Sequence, residues 1–266
     1  MSRAPFLRIR GVSKSFRARR RWRNGWWTRE SPQIAVLRSI DLDLERGRTL
    51  ALVGPSGSGK TTLARCLARF EMPDSGEIAL GGSALATIPR GRIQLIFQQP
   101  AASLSPRFTA EEIVSEPLVI RKWGTKLSRR AKATELMETV GLVPADSGKR
   151  SVEFSGGECQ RLAIARALAL EPGLLILDES FSSLDLSLQA QIANLLLALQ
   201  AAHDLTYILI SHDLSLVGRL ADEIAVIDHG TIVERGPAAT VMADPRYPVT
   251  RELVEANRLL GLRIGL

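Results

Sequence analysis

A glycine-rich segment between a short apolar run and a helical pattern most constrains the fold of this chain. The run Thr49 to Val53 has the length and composition of a buried central strand. Helical spacing begins at Thr61 and continues to Phe70. Between the two lies a segment of the form G-x-x-x-x-G-K-[ST], which is Gly54-Pro55-Ser56-Gly57-Ser58-Gly59-Lys60-Thr61. This order of strand, loop and helix is typical of a loop whose backbone N–H groups surround phosphate oxygens.

The residue types in this segment suit a bound triphosphate. The glycines allow the loop to turn inward, and the following helix directs the positive end of its dipole at the same anion. Lys60 would supply charge to the outer phosphates, and Thr61 a hydroxyl ligand for Mg²⁺. We therefore predict that Gly54 to Thr61, with Thr62, bind a nucleoside triphosphate. The alternative is a glycine-rich turn without a ligand.

An acidic pair follows a second apolar run, Leu174 to Leu177. Asp178 and Glu179 would lie at the carboxyl edge of a central strand, where open α/β sheets bind their ligands. Asp178 could hold Mg²⁺ through water, and Glu179 could polarise an attacking water as a general base. The alternative is a pair of solvated acids at a strand end.

Apolar strands alternate with helical patterns along the rest of the chain. Further strand candidates are Leu7 to Val12, Ile34 to Leu44, Gly76 to Leu80, Ile93 to Phe97, Tyr207 to Ile210, Ile224 to Ile227 and Thr231 to Glu234. Residues 109–140 and 187–200 show helical patterns, and we expect Pro117 and Gly124 to interrupt the first of them. This alternation predicts an α/β fold with a mostly parallel sheet that is covered on both faces.

Composition indicates a folded protein and predicts where in the cell it is located. Hydrophobic residues make up 45% of the 266 residues and charged residues 24%, which indicates a packed core instead of disorder. No run reaches the roughly 18 apolar residues that span a bilayer, and the first residues contain no apolar signal core. We therefore expect a cytosolic protein, with Cys66 and Cys159 as free thiols.

The formal net charge of +7 is partly concentrated in residues 17–29, which are rich in arginine and tryptophan. Arginine with tryptophan suits a membrane surface. A solvated insertion loop would explain the same composition.

Phe154-Ser155-Gly156-Gly157-Glu158 resembles the signature motif of ATP-binding cassette (ABC) proteins and lies between the phosphate loop and the acidic pair, as in that family. Other segments resemble the family's motifs in the same order. Phe16 matches its adenine-stacking aromatic, Gln98 its Q-loop, Asp185 its D-loop and His212 its switch histidine. The resemblance covers nearly the whole chain.

The resemblance implies both an architecture and a mechanism. The architecture is a P-loop nucleoside triphosphatase core with an N-terminal antiparallel β subdomain and a helical signature subdomain at about 100–165. Residues 5–250 would form one nucleotide-binding domain and residues 251–266 a short tail. Two cassettes would bind ATP and Mg²⁺ head to tail, so that Ser155, Gly156, Gly157 and Glu158 of one contact the nucleotide of the other.

The same resemblance assigns roles to single residues, and each has an alternative. Gln98 would sense Mg²⁺ and water, or it is a polar turn residue. His212 would contact the γ-phosphate and hold Glu179 and water, or it is an ordinary strand-end histidine. Phe16 would stack on adenine, or it is a core aromatic. Asp185 would act across the dimer interface, cap a helix, or do both.

Three positions depart from the family pattern. Phe154 replaces the usual leucine, and Glu158 the usual glutamine. Ser180-Phe181 stands where Pro-Thr is frequent, and we expect this to loosen the entry to the D-loop.

Within the family, residues 98–106, 184–190 and 244–250 most resemble the peptide and nickel importer ATPases. That branch implies an ATP-hydrolysing subunit on the cytosolic face of the inner membrane. It would contact two transmembrane permease subunits and a second cassette ATPase, either a paralogue or a copy of itself, and would depend indirectly on a periplasmic substrate-binding protein. The cargo would be peptide, nickel or a metal complex. The alternatives are an exporter ATPase, or a cassette ATPase acting on nucleic acid or ribosomes; no nucleic-acid partner is expected.

Overall fold

The computed structural model describes residues 4–17, 22–23, 26–27, 33–97, 99–181 and 184–264. Its strands are β1 (Leu7–Arg17), β2 (Trp22–Arg23), β3 (Trp26–Trp27), β4 (Gln33–Leu44), β5 (Thr49–Val53), β6 (Ser75–Leu80), β7 (Ser83–Ala84), β8 (Ile93–Ile96), β9 (Leu174–Asp178), β10 (Thr206–Ile210), β11 (Glu223–Asp228) and β12 (Thr231–Pro237). Its α-helices are α1 (Lys60–Leu67), α2 (Pro100–Ser103), α3 (Ala110–Ile120), α4 (Lys126–Thr139), α5 (Gly156–Leu168), α6 (Leu186–His203), α7 (Leu214–Leu220), α8 (Ala238–Ala243) and α9 (Pro248–Ile264).

The described chain divides into two compact units. The first lies within Met1–Glu45, Leu52–Ile88 and Glu223–Leu266, and the second within Arg46–Ala51 and Pro89–Asp222. The boundary between them therefore passes through β5.

The first unit contains an antiparallel sheet with the strand order β4-β1-β6-β7. Leu7 and Ile9 of β1 are fully buried and alternate with exposed residues, and Val12, beyond a register shift, is also fully buried. They lie opposite or near Leu42 and Leu44 of β4, which are also buried. This pattern of period two buries one face of the sheet, and it confirms the predicted antiparallel β subdomain.

The same unit contains the antiparallel pair β11–β12 and the helices α1, α8 and α9. The buried carboxylate of Glu234 in β12 accepts hydrogen bonds from the backbone N–H groups of Arg246, at 3.0 Å, and Tyr247, at 3.2 Å. These bonds hold the chain just before α9 begins. Residues 251–264, which we expected to form most of a short tail, lie in this helix.

The second unit contains the parallel strands β8, β9 and β10, with β9 in the middle. Every residue of β9 and β10 is buried, which explains why both read as uninterrupted apolar runs. The backbone N–H of Tyr207 in β10 donates to the carbonyl of Arg48, so the start of β5 lies beside β10. Parallel strands with helices between them confirm the predicted α/β class.

Helices α3, α4 and α5 of this unit pack against one another. Thr109 and Glu112 form a reciprocal capping box that fixes the start of α3. The predicted break at Gly124 is correct, because this residue lies between α3 and α4 with a φ of 57°. The predicted break at Pro117 is wrong: Pro117 lies inside α3 and is buried. The proline ring has no N–H to donate to the carbonyl of Ile113, yet the helix continues for three more residues, to Ile120.

Both cysteines are buried and unbridged, as free thiols would be. Burial raises the pKa of the Cys66 thiol to about 11 and also raises the pKa of Cys159. Both side chains are therefore protonated and unreactive near neutral pH. Across the described residues, no helix combines the length and apolarity needed to cross a bilayer.

Candidate functional site

The phosphate loop joins β5 to α1 in the conformation that its glycines permit. Gly54, Gly57 and Gly59 all have positive φ, at 151°, 79° and 115°, a backbone region that side chains with a Cβ rarely adopt. A Cβ on Gly54 would lie 2.1 Å from the carbonyl oxygen of Ile227, and one on Gly59 would lie 2.9 Å from that of Val36. The torsion thus favours glycine at all three positions, and close contact with neighbouring backbone also requires it at Gly54 and Gly59.

Two segments that the sequence interpretation did not assign to the site support this loop. The N–H of Gly230, in the β11–β12 turn, donates to the carbonyl of Ser58 at 3.0 Å. Its carbonyl in turn accepts from the N–H of Arg38 in β4 at 2.8 Å. The turn Asp228-His229-Gly230 lies between two of the strand candidates named from the sequence, but no local pattern indicated that it would hold the phosphate loop.

Gly54→Ala should destabilise the protein strongly because the new methyl group would meet backbone at Ile227 that cannot rotate away. We expect a loss of about 2 kcal/mol or more in the free energy of unfolding, measured by urea denaturation. Gly57→Ala is the matched control, since its Cβ would meet no atom within 4 Å. It should cost only the strain of its positive φ, about 1 kcal/mol. Equal losses in the two variants would contradict the steric argument.

Lys60 and Ser58 present polar groups in the loop that suit an anion. Lys60 is only 7% exposed, and its Nζ donates to the carbonyls of Gly54 and Pro55 at 2.8 Å each. The Oγ of Ser58 is buried and has no hydrogen-bond partner among the described residues. The first turn of α1 contains no acidic residue to neutralise its positive end. These groups fit a bound triphosphate.

Phe16 is held near the end of β1 by an ion pair that the sequence did not predict. The Nζ of Lys14 lies 5.4 Å from the Phe16 ring centroid and 2.9 Å from Asp74. Asp74 also accepts from the N–H of Ser15 at 2.7 Å, and the hydrogen bond from Lys14 lowers its pKa. Phe16 is 37% exposed, which is not the environment of a core aromatic.

In the second unit, the ends of β9 and β10 bring together Glu179 and His212. The Oε1 of Glu179 lies 3.9 Å from the Nδ1 of His212. The N–H of Glu179 donates to the carbonyl of Ile210 at 2.9 Å, which ties the residue to β10. Glu179 has a φ of 47°, a conformation that is costly for a residue with a Cβ and that is concentrated at functional sites. Asp178 precedes it as the last, buried residue of β9.

The segments that follow these two residues are fixed by local contacts. The Oγ of Ser211 accepts from the N–H of Asp213 at 3.0 Å, and Asp213 caps the start of α7. Phe181 is 3% exposed, and its carbonyl accepts from the N–H of Leu184 at 3.0 Å. Ser180 is also buried. Residues 180 and 181 are therefore buried, and the loosening of the D-loop entry that we expected from their departure from the family pattern stays a prediction, since residues 182–183 lie outside the described residues.

The signature residues open helix α5. Ser155 is its N-cap: its Oγ accepts from the N–H of Glu158 at 3.3 Å, and its own N–H donates to the Glu158 carboxylate at 2.8 Å. This backbone hydrogen bond lowers the pKa of Glu158. A hydroxyl can donate as well as accept, so the O–H of Ser155 can still reach a phosphate. Gly157 is buried against Leu188, which a Cβ would approach to 3.1 Å.

Asp185 is the N-cap of α6, since its Oδ1 accepts from the N–H of Leu188 at 2.9 Å. Asp185 therefore caps a helix, as one of the alternatives predicted. Its role across the dimer interface stays a prediction. Gln98 lies outside the described residues.

The parallel α/β core, the phosphate loop and the antiparallel subdomain define the chain as a P-loop protein of the nucleoside triphosphatase class. The family model described as ABC transporter matches residues 37–182. The chain belongs to the ABC transporter family.

Its relatives carry names that refer to import or transport. It is 41% identical to a Brucella ovis protein named as a candidate peptide import ATP-binding protein. The match covers 96% of this chain and 80% of that protein. It is 42% identical to the protein of Escherichia coli K12 named "Probable D,D-dipeptide transport ATP-binding protein DdpF", over 94% of this chain and 78% of DdpF. It is 41% identical to the glutathione import ATP-binding protein GsiA of Salmonella typhi, over 95% of this chain but only 41% of GsiA.

Solved structures share the fold. CbiO1 of Clostridium perfringens, described as part of an ABC transporter complex, matches 99% of this chain with a TM-score of 0.77 at 22% identity. The ATP-binding cassette MJ0796, in a dimer bound to ADP and phosphate, matches 87% of this chain with a TM-score of 0.71 at 24% identity. Each match covers nearly all of the other chain, at 100% and 98%.

Proposed function

We propose that this chain hydrolyses ATP to drive peptide import through an ABC transporter. The observation that carries the proposal is the Glu179–His212 pair, because it places a carboxylate beside an imidazole at the carboxyl ends of two buried parallel strands. Open α/β sheets bind their ligands at this edge. Membership in the ABC transporter family and the names of the relatives support import as the direction of transport and peptides as the class of cargo.

The phosphate loop binds the triphosphate of ATP. Lys60 exchanges its bonds to the carbonyls of Gly54 and Pro55 for bonds to the outer phosphates, and these are stronger because both partners are charged. The N-terminus of α1 and the inward N–H groups of the loop stabilise the same negative charge. The remaining exposed face of Phe16 stacks on adenine, while Lys14 lies near its ring.

The oxygen donors of Thr61 and Asp178 fit Mg²⁺, which binds hard oxygen ligands and takes most of its shell from phosphates and water. This coordination preference does not require a cluster of protein ligands. Among the described residues, no three acidic, histidine or cysteine side chains cluster as a metal site. When bound, Mg²⁺ neutralises charge on the phosphate oxygens. Gln98 contributes to sensing the ion and the attacking water.

Hydrolysis uses the residues at the ends of β9 and β10. Glu179 accepts a proton from water as the water oxygen attacks the γ-phosphorus and the bond to ADP breaks. His212 holds the carboxylate and the γ-phosphate in place. The backbone bond from Glu179 to Ile210 fixes the base relative to His212, so little reorganisation is needed during the reaction.

The signature residues act in trans in a head-to-tail pair of cassettes. Ser155, Gly156, Gly157 and Glu158 contact the γ-phosphate of ATP that is bound by the other subunit, and Asp185 contributes across the interface. The second cassette is a paralogue or a second copy of this chain. The pair docks from the cytoplasmic face of the inner membrane on two permease subunits, which a periplasmic binding protein supplies with cargo.

Purification from native membranes in mild detergent tests this function. A tagged chain should recover two integral membrane proteins and a cassette ATPase, and addition of the matching peptide with its binding protein should stimulate ATP turnover of the complex. Recovery of ribosomal or DNA-bound proteins without a permease would overturn the transport assignment. Stimulation by nickel complexes but not by peptides would overturn the assignment of cargo.

A further inference from the structure

The end of β1, where Phe16 lies, departs from regular strand pairing. Lys14 lies opposite Leu37 of β4, but the next residue, Ser15, lies opposite Ala35, so β4 has one more residue than β1 at this point. A β-bulge of this kind bends the strands and is common beside functional sites, where it aims a side chain. It also interrupts the ladder of hydrogen bonds, so the end of β1 needs support from another part of the chain.

Asp74 supplies this support. One of its carboxylate oxygens accepts from the N–H of Ser15 at 2.7 Å, and the other accepts from the Nζ of Lys14 at 2.9 Å. Its own backbone N–H donates to the carbonyl of Ser13 at 2.8 Å. Residue 74 is therefore hydrogen-bonded to each of the three residues that precede Phe16.

The ammonium of Lys14 connects this carboxylate to the aromatic ring. It lies 5.4 Å from the centroid of Phe16, within the range of a cation–π interaction. The hydrogen bond between Lys14 and Asp74 raises the pKa of the lysine and lowers the pKa of the aspartate, so both are charged at neutral pH. Only 13% of the lysine side chain is exposed. The ion pair thus holds the ammonium in place, and the ammonium restrains the ring.

We infer that Asp74 and Lys14 are positioning residues for ATP, which hold Phe16 in the orientation in which it stacks on adenine. The inference rests on the proposed function, in which Phe16 makes that stack. An exposed ion pair adds little to the stability of a fold, so the contribution of this pair lies in its geometry. A ring that is already held in place loses less conformational freedom when the nucleotide binds.

The position of Asp74 in the chain adds a second consequence. The phosphate loop begins at Gly54 and leads into α1, and Asp74 follows that helix in the same unit. One continuous segment, residues 54–74, therefore provides the groups for the phosphates and also fixes the residue that stacks on the base. The inferred role concerns the base alone, since Asp74 acts on Phe16 and not on the phosphate loop.

Equilibrium binding of ATP and of inorganic tripolyphosphate to the purified full chain tests this role. Asp74→Ala should weaken ATP binding about fivefold, which lies in the range for a lost aromatic contact. Tripolyphosphate has no base, so its affinity should not change. Lys14→Arg should bind ATP like wild type, because a guanidinium can also pair with Asp74 and lie over the ring. Asp41→Ala is the matched control, since Asp41 accepts from the N–H of Gly11 in β1 at 2.8 Å. It should bind both ligands like wild type.

A double variant separates positioning from a general loosening of the strand. Asp74→Ala should cause no further loss of ATP affinity in a chain that carries Phe16→Ala, because the pair acts through the ring. The inference is overturned if Asp74→Ala binds ATP like wild type, if it weakens tripolyphosphate as much as ATP, or if its effect persists without the Phe16 ring. None of these outcomes concerns hydrolysis, so the proposed ATPase function would stand in each. A wild-type chain that bound no ATP would overturn both.

Discussion

Glu179→Gln is expected to slow ATP hydrolysis at least about 100-fold, the usual scale for the loss of a general base, and to leave ATP binding intact. The amide has the same shape as the carboxylate but cannot accept the proton of the attacking water. The N–H bond from residue 179 to Ile210 belongs to the backbone and survives the substitution. Single-turnover hydrolysis and equilibrium ATP binding, measured on the same preparation, separate the two effects.

Glu171→Gln provides the matched control for this experiment. Glu171 is also a glutamate with positive φ, 49° against 47° for Glu179, but it lies in the turn before β9 begins. Its substitution makes the same chemical change on a comparable backbone and should leave turnover unchanged. Near-normal hydrolysis by Glu179→Gln would remove this residue from the role of base. A similar loss of turnover in both variants would show that the effect comes from the left-handed backbone conformation that the two positions share.

The sequence predicted most reliably the elements that depend on local patterns. The apolar run Thr49 to Val53 coincides with β5, and the buried run that starts at Leu174 becomes β9. The break at Gly124 was predictable because the turn needs a left-handed residue there. Helix boundaries were less accurate. The helical spacing from Thr61 to Phe70 predicted a helix that continues three residues past Leu67, where α1 ends.

The contacts that support the site could not be predicted, because they join distant parts of the chain. Nothing near Gly230 indicates that its N–H will bond to Ser58, and nothing near Asp74 indicates a pairing with Lys14. The proline rule failed at Pro117 because it weighs the missing backbone donor and not the burial that the ring gains in α3. The 3.9 Å separation of Glu179 and His212 likewise required the strand register.

Ser155→Arg is expected to abolish ATP-dependent dimerisation while the nucleotide affinity of the monomer stays unchanged. The arginine side chain would project from the N-terminus of α5, where the proposed mechanism places the γ-phosphate of the partner's ATP. The phosphate loop is untouched, so the monomer still binds nucleotide. Size-exclusion chromatography with a non-hydrolysable ATP analogue measures the dimerisation, and calorimetry measures the nucleotide affinity of the monomer.

The same substitution removes a helix cap, which by itself costs about 1 kcal/mol of stability. Thr109→Arg separates the two effects, because Thr109 caps α3 with the same reciprocal geometry that Ser155 uses on α5. It loses an equivalent capping box at a position outside the signature, so it should still dimerise with the ATP analogue. If Ser155→Arg also dimerises, the signature does not act in trans in this protein. If both variants fail to dimerise, lost capping explains the result, and the signature must be tested by a substitution at Gly156, which leaves the cap in place.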